Sequence, residues 1–214
     1  MTRKLIPALI IICAAAVPAQ ADVDAYVGAF GGYGGSSMER VDDPGITARI
    51  YPRIDKHQHS FFGGAYAGAG WRFLAVEGGI LKLPYYHASV DGLYPAREGN
   101  QTIGGSALYL RGLVRTPPSW GWPVAPYGFA GAAHVNATSR EVVHCACYPG
   151  GEADFRAPLE RHRARFYWGF GAEIPLDRTF SLRGEVGFIP AAVQSFWTGT
   201  RDYTLGSIAL QIRF

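Results

Sequence analysis

The sequence predicts an all-β protein: an eight-stranded, antiparallel, up-and-down barrel that crosses a membrane through its strands. Three observations carry this. An export segment opens the chain. Eight segments alternate apolar and polar residues with a period of two. The connections between those segments alternate between long and short.

Residues 1–21 read as a cleaved signal peptide, and 22–214 as one outer-membrane barrel domain. Arg3 and Lys4 start the segment, residues 5–17 form its apolar run, and Ala19-Gln20-Ala21 is a small-x-small cleavage site. The run is shorter than the ~20 residues a membrane helix needs. Removing Arg3 and Lys4 lowers the formal net charge from +3 to +1, which leaves no basic surplus for nucleic acid. With 28 glycines, 14% aromatic and only 17% charged residues, the chain is unlike a soluble core.

The strands are clearest near the C-terminus. Thr204, Gly206, Ile208, Leu210, Ile212 and Phe214 form one face, and Tyr203, Ser207, Gln211 and Arg213 belong to the other. Residues 180–188 repeat this pattern, with Phe180, Leu182, Val186 and Phe188 opposed to Ser181, Arg183 and Glu185. Residues 163–174 set Phe166, Trp168, Phe170 and Ile174 against Arg163, Arg165, Tyr167 and Glu173. Segments 23–32, 60–72, 73–83, 102–115 and 123–136 complete eight. The apolar face is expected to meet lipid and the mixed face to line the interior. Short connections fall at 71–73, 116–122 and 175–178. Long outer loops are expected at 33–59, 84–101, 137–162 and 189–202. Both termini then lie at the short-turn, periplasmic end. In a narrow barrel, glycines within the strands leave room for large neighbours. No helical pattern follows any of them, which disfavours a nucleotide loop.

Three stretches bear a family likeness. One is Gly169-Phe170-Gly171-Ala172-Glu173-Ile174, with its Pro-Leu-Asp-Arg turn and Leu182-Arg183-Gly184-Glu185. The others are Ala65-Tyr66-Ala67-Gly68 through Val76-Glu77-Gly78, and Leu205-Gly206-Ser207 to Arg213-Phe214. Together they resemble the transmembrane domain of outer-membrane protein A and related small barrels. The likeness covers most of the chain outside its loops and is expected to stop with the barrel, without a cell-wall-binding domain. It implies a lumen plugged or gated by ion pairs, with Glu77, Arg111, Glu173 and Arg183 at the matching positions. By strand parity each of these faces inward, and Arg165 and Glu185 join them. Buried charges need partners. Such a network either fills the interior and fixes register, or gates it. Phe214 is expected to act as the assembly signal.

The remaining constellations are weaker. Cys145 and Cys147 form a candidate loop disulfide. With His57, His59 and His144 they offer metal-ligand chemistry, but at no zinc spacing, so no metal or other cofactor is expected. His134 and Asn136 are read as inward residues of the fifth strand. They lack a triad partner at a convincing spacing, so no catalytic residue is assigned. Trp71, Phe73, Trp120 and Trp122, together with Phe196 and Trp197, read as interfacial aromatics. The expected partners are outer-membrane lipid and lipopolysaccharide, the barrel assembly machinery, and a host or surface ligand at the outer loops. The leading reading is a non-enzymatic barrel that supports the envelope and displays loops. A small gated channel and a lipid-modifying enzyme are the alternatives.

Overall fold

The computed structural model describes residues 23–38, 53–57, 59–93, 97–117, 120–148, 151–195 and 199–214. The signal-peptide reading lies outside them, as do Phe196 and Trp197. The strands are β1 (Val23–Met38), β2 (Arg53–His57), β3 (His59–Trp71), β4 (Leu74–Leu93), β5 (Arg97–Arg115), β6 (Ala125–Tyr148), β7 (Gly151–Pro175), β8 (Phe180–Ser195) and β9 (Gly199–Arg213).

Every pairing is antiparallel. β1 pairs with β3 on one side and with β9 on the other, and β4 pairs with β5, so the sheet closes on itself. Eight strands make the ring. Among the described residues the short β2 pairs only with the far end of β4, where Arg53 is in register with Asp91 and His57 with His87.

Three short turns bind one end of the barrel. Trp71 pairs with Leu74, so Arg72 and Phe73 form the first turn, and Arg72 adopts φ 52°. The second turn is tied by the Thr116 amide on the Pro126 carbonyl at 3.2 Å, with Gly121 at φ 65°. In the third, the Asp177 carboxylate accepts the amides of Thr179 and Phe180 at 2.7 and 2.6 Å, an Asx turn. Phe214 closes the ring at this end, its amide donating to the Ala25 carbonyl at 2.9 Å.

At the other end the structure departs from expectation. The segments read as long loops are largely strand. β4 and β5 stay paired out to Leu93 and Arg97, β6 and β7 out to Tyr148 and Gly151, and β8 and β9 out to Ser195 and Gly199. The cause is the test itself: an apolar outward face marks where a strand meets lipid, not where it ends. Strands here run to 25 residues, whereas crossing takes ~9–11. The outward apolar series, such as Leu74-Val76-Ile80 and Val114-Leu110-Leu108, gives way at Lys82 and Ser106, and the hairpins continue beyond.

At the turn end an exposed aromatic cluster stands on the outward rim. Phe73 meets Trp120 edge-on at 5.8 Å, and Trp120 lies 5.4 Å from Trp122. Inside, large rings are accommodated by glycine on neighbouring strands. A β-carbon added at Gly68 would meet the Tyr26 ring at 2.7 Å and the Glu77 Cγ at 2.8 Å.

Candidate functional site: the inward face of the barrel

The inward faces form two layers of opposite character. The layer nearer the turn end is charged. Glu77 on β4, Arg111 on β5, and Arg183 and Glu185 on β8 meet near the barrel axis. Arg111 lies 2.6 Å from Glu77 and 2.7 Å from Glu185, and Arg183 lies 2.5 Å from Glu77 and 2.6 Å from Glu185. Each carboxylate therefore holds both guanidiniums, and the four formal charges cancel. Side-chain exposure is 0% for Glu77 and 1% for both arginines. Charges this deep are tolerable only with full pairing and hydrogen bonding.

Tyrosines supply much of the remaining hydrogen bonding. Tyr26 donates to Glu77 Oε1 at 2.9 Å, and Tyr127 donates to Glu185 Oε1 at 2.7 Å. Arg183 Nε donates to the Tyr127 hydroxyl at 3.2 Å. The guanidiniums also lie against rings, Arg111 at 4.1 Å from the Phe129 centroid and Arg183 at 4.7 Å from that of Tyr127.

Glu173 sits opposite Arg183 in the β7–β8 register, yet Arg183 reaches across the lumen instead. Glu173 pairs with Arg213. Gln211 joins the two groups: its oxygen accepts from Arg183 Nη1 at 2.9 Å, and its amide donates to Glu173 Oε1 at 3.0 Å. A further pair, Arg115 with Asp24 at 2.8 Å, lies nearer the turns.

Arg165 stands apart. It faces inward and is partly buried, but it pairs opposite Ala133, and its Nε has no hydrogen-bond partner among the described residues. Parity groups it with the other five, but its position along β7 sets it apart from them. The same parity signal, read on β1, β5 and β9, points to the missed residues Asp24, Arg115, Gln211 and Arg213.

The layer toward the hairpin end is apolar. Leu81, Leu83, Tyr86, Ile103, Val135 and Ile189 are all fully buried, with Ile103 and Ile189 at 0% exposure. A bulge builds part of it. Leu83 pairs with Gly105 but Tyr86 with Ile103, so β4 carries one extra residue. That residue turns Tyr86 inward and Tyr85 outward, the reverse of plain alternation.

Two other expectations change. His134 and Asn136 face outward, because Ala133, Val135 and Ala137 are the buried residues of that stretch. The His134 and His162 rings stack 6.3 Å apart, and His162 Nδ1 lies 2.6 Å from the Asn136 oxygen. Cys145 and Cys147 lie in strand β6 rather than in a loop, and their side chains fall outside the described residues, as do those of His57 and His144. Among the described residues, no group of three His, Cys, Asp or Glu side chains is placed to hold a metal.

Residues 5–210 match the family model of the outer membrane protein beta-barrel domain. The chain belongs to that family. Its fold is similar to the N-terminal β-barrel domain of Pseudomonas aeruginosa OprF, at 12% identity and TM-score 0.45, covering 89% of this chain and 97% of that one. Neisserial surface protein A is similar at 13% identity and TM-score 0.45, over 89% and 97%. Ail, the attachment invasion locus protein of Yersinia pestis, solved with the heparin analogue sucrose octasulfate, is similar at 12% identity and TM-score 0.41, over 89% and 99%. No curated protein matches the sequence.

Proposed function

We propose that this outer-membrane barrel is a non-conducting, non-enzymatic anchor that supports the envelope and carries its paired hairpins as an interaction surface. One observation carries the reading. The inward faces carry a neutralised charge layer and an apolar layer, which supports an inside without a path, while the strands extend well past the lipid-facing band. Eight strands enclose an interior that side chains can fill, and the burial of the inward side chains in both layers supports that reading. Export through the 1–21 signal and delivery to the barrel assembly machinery belong to this reading.

The hairpins supply its test. Replacing residues 88–101 and 139–160 with short turns should leave a heat-modifiable barrel in the membrane and abolish adherence of expressing cells to host surfaces. Undiminished adherence by the shortened barrel would remove the display role.

Phe214 belongs to assembly in the same reading. Phe214 is 77% exposed and stands on the outward side, whereas Arg213 points inward to Glu173. Phe214→Asp should lower the amount of assembled barrel severely, and Arg213→Gln only slightly, read as heat-modifiable band intensity. Equal accumulation of the two variants would contradict the assignment of faces.

A further inference from the structure

The outward wall over β3 to β6 carries a groove of about 750 Å³, lined by Ile80, Lys82, Tyr85, Thr102, Ser106 and Thr138 among others. Its size lies within the ~300–1,000 Å³ common for small-molecule sites. It sits where the apolar band stops. Ile80 pairs with Leu108 in the last apolar row. One row further out, Lys82 pairs with Ser106, Ser106 with Asn136, and Asn136 with His162, all on the outward side. Four polar side chains in register across four strands trace the level at which lipid chains give way to headgroups.

The groove is built by the β4 bulge. The extra residue swings Tyr85 outward, and its ring lies over Gly104, where an added β-carbon would meet the Tyr85 Cε1 at 2.7 Å. The Tyr85 amide donates to the Ser60 hydroxyl at 2.5 Å, which pins the bulge to β3. Lys82 Nζ stands 5.3 Å from the Tyr85 ring centroid. Lys82 has no carboxylate partner among the described residues. An exposed ammonium, an exposed aromatic face and three hydroxyls thus stand together above an apolar wall.

We propose that this groove docks one phosphorylated glycolipid of the outer leaflet. Lys82 binds its phosphate, and the Tyr85 ring with the hydroxyls of Thr102, Ser106 and Thr138 receives its sugar. An acyl chain descends over Ile80 and Leu108. The cation calls for an anionic headgroup, and the apolar wall below calls for a chain continuous with it. The Thr102 hydroxyl already lies 3.3 Å from His87 Nδ1, so the preference rests on the hydroxyls of Ser106 and Thr138 and on the ring, which match a sugar better than a glycerol phosphodiester. The site rests on the membrane reading above but not on the closed lumen.

The test uses the full barrel in phosphatidylcholine nanodiscs doped with diphosphoryl lipid A, with retained lipid counted by native mass spectrometry. Wild type should retain one copy. Lys82→Gln should weaken retention about tenfold, the effect of losing one charge-assisted contact, and Lys82→Arg should restore it. Tyr85→Ala should weaken it about fivefold. Ile208→Ala, on β9 away from the groove, should retain lipid like wild type. Unchanged retention by both Lys82→Gln and Tyr85→Ala would overturn the site. Equal retention of phosphatidylglycerol would overturn the sugar assignment. Heat-modifiable mobility and zero conductance, measured on the same variants, report separately on the barrel and its closure.

Discussion

The two layers of the lumen are both buried, apart from the partly exposed Glu185, but should differ in how they tolerate change. In the charged layer, Glu77, Arg111, Arg183 and Glu185 are held by one another, so each residue's burial is acceptable only while the others remain. In the apolar layer, Leu81, Leu83, Ile103 and Ile189 fill space, and each contributes by its own area and fit. A narrow barrel can be closed by either means. The charged layer couples four residues on three strands, so its pairing depends on their register, whereas the apolar residues are buried one by one, each by its own fit.

The comparison is tested most sharply at Glu77. Glu77→Gln leaves two buried guanidiniums sharing Glu185 alone and should destabilise the barrel by about 3–5 kcal/mol, read as the urea midpoint in vesicles. A loss below ~1 kcal/mol, the scale of an exposed pair, would mean that the layer is open to water. Ile103→Ala in the apolar layer should cost about 3 kcal/mol through the cavity it leaves. Combined with Glu77→Gln, its effect should add, because the Ile103 side chain has no polar atom to join the charged cluster; strong non-additivity would make them one unit. Arg165→Met should change stability by ~0.5 kcal/mol or less, since among the described residues Arg165 Nε finds no hydrogen-bond partner. A loss comparable to that of Glu77→Gln would return Arg165 to the network.

Much of this was legible in the sequence because a closed barrel enforces period two. Once Phe166, Trp168 and Phe170 face lipid, Tyr167 and Glu173 must face in. Alternation placed Glu77, Arg111, Arg183 and Glu185 inside, but it could not say which arginine would answer which acid. Arg183 spans the lumen to Glu77 and leaves Glu173, its register partner, to Gln211 and Arg213. The hairpins were missed because strand pairing outlasts the lipid band. On β6, small and apolar residues lie on both faces, so nothing in composition oriented His134. Tyr85 and Tyr86 were beyond alternation altogether, since a single bulged residue exchanges their sides.

The most direct test of the two-layer closure is single-channel recording of the refolded barrel in a planar bilayer, beside an Arg183→Ala variant. Closure in series predicts that both are silent, because the apolar layer still seals the lumen when the charged layer is breached. Steady conductance by the wild type would contradict the filled lumen. Conductance by Arg183→Ala alone would show that the charged layer is the only barrier.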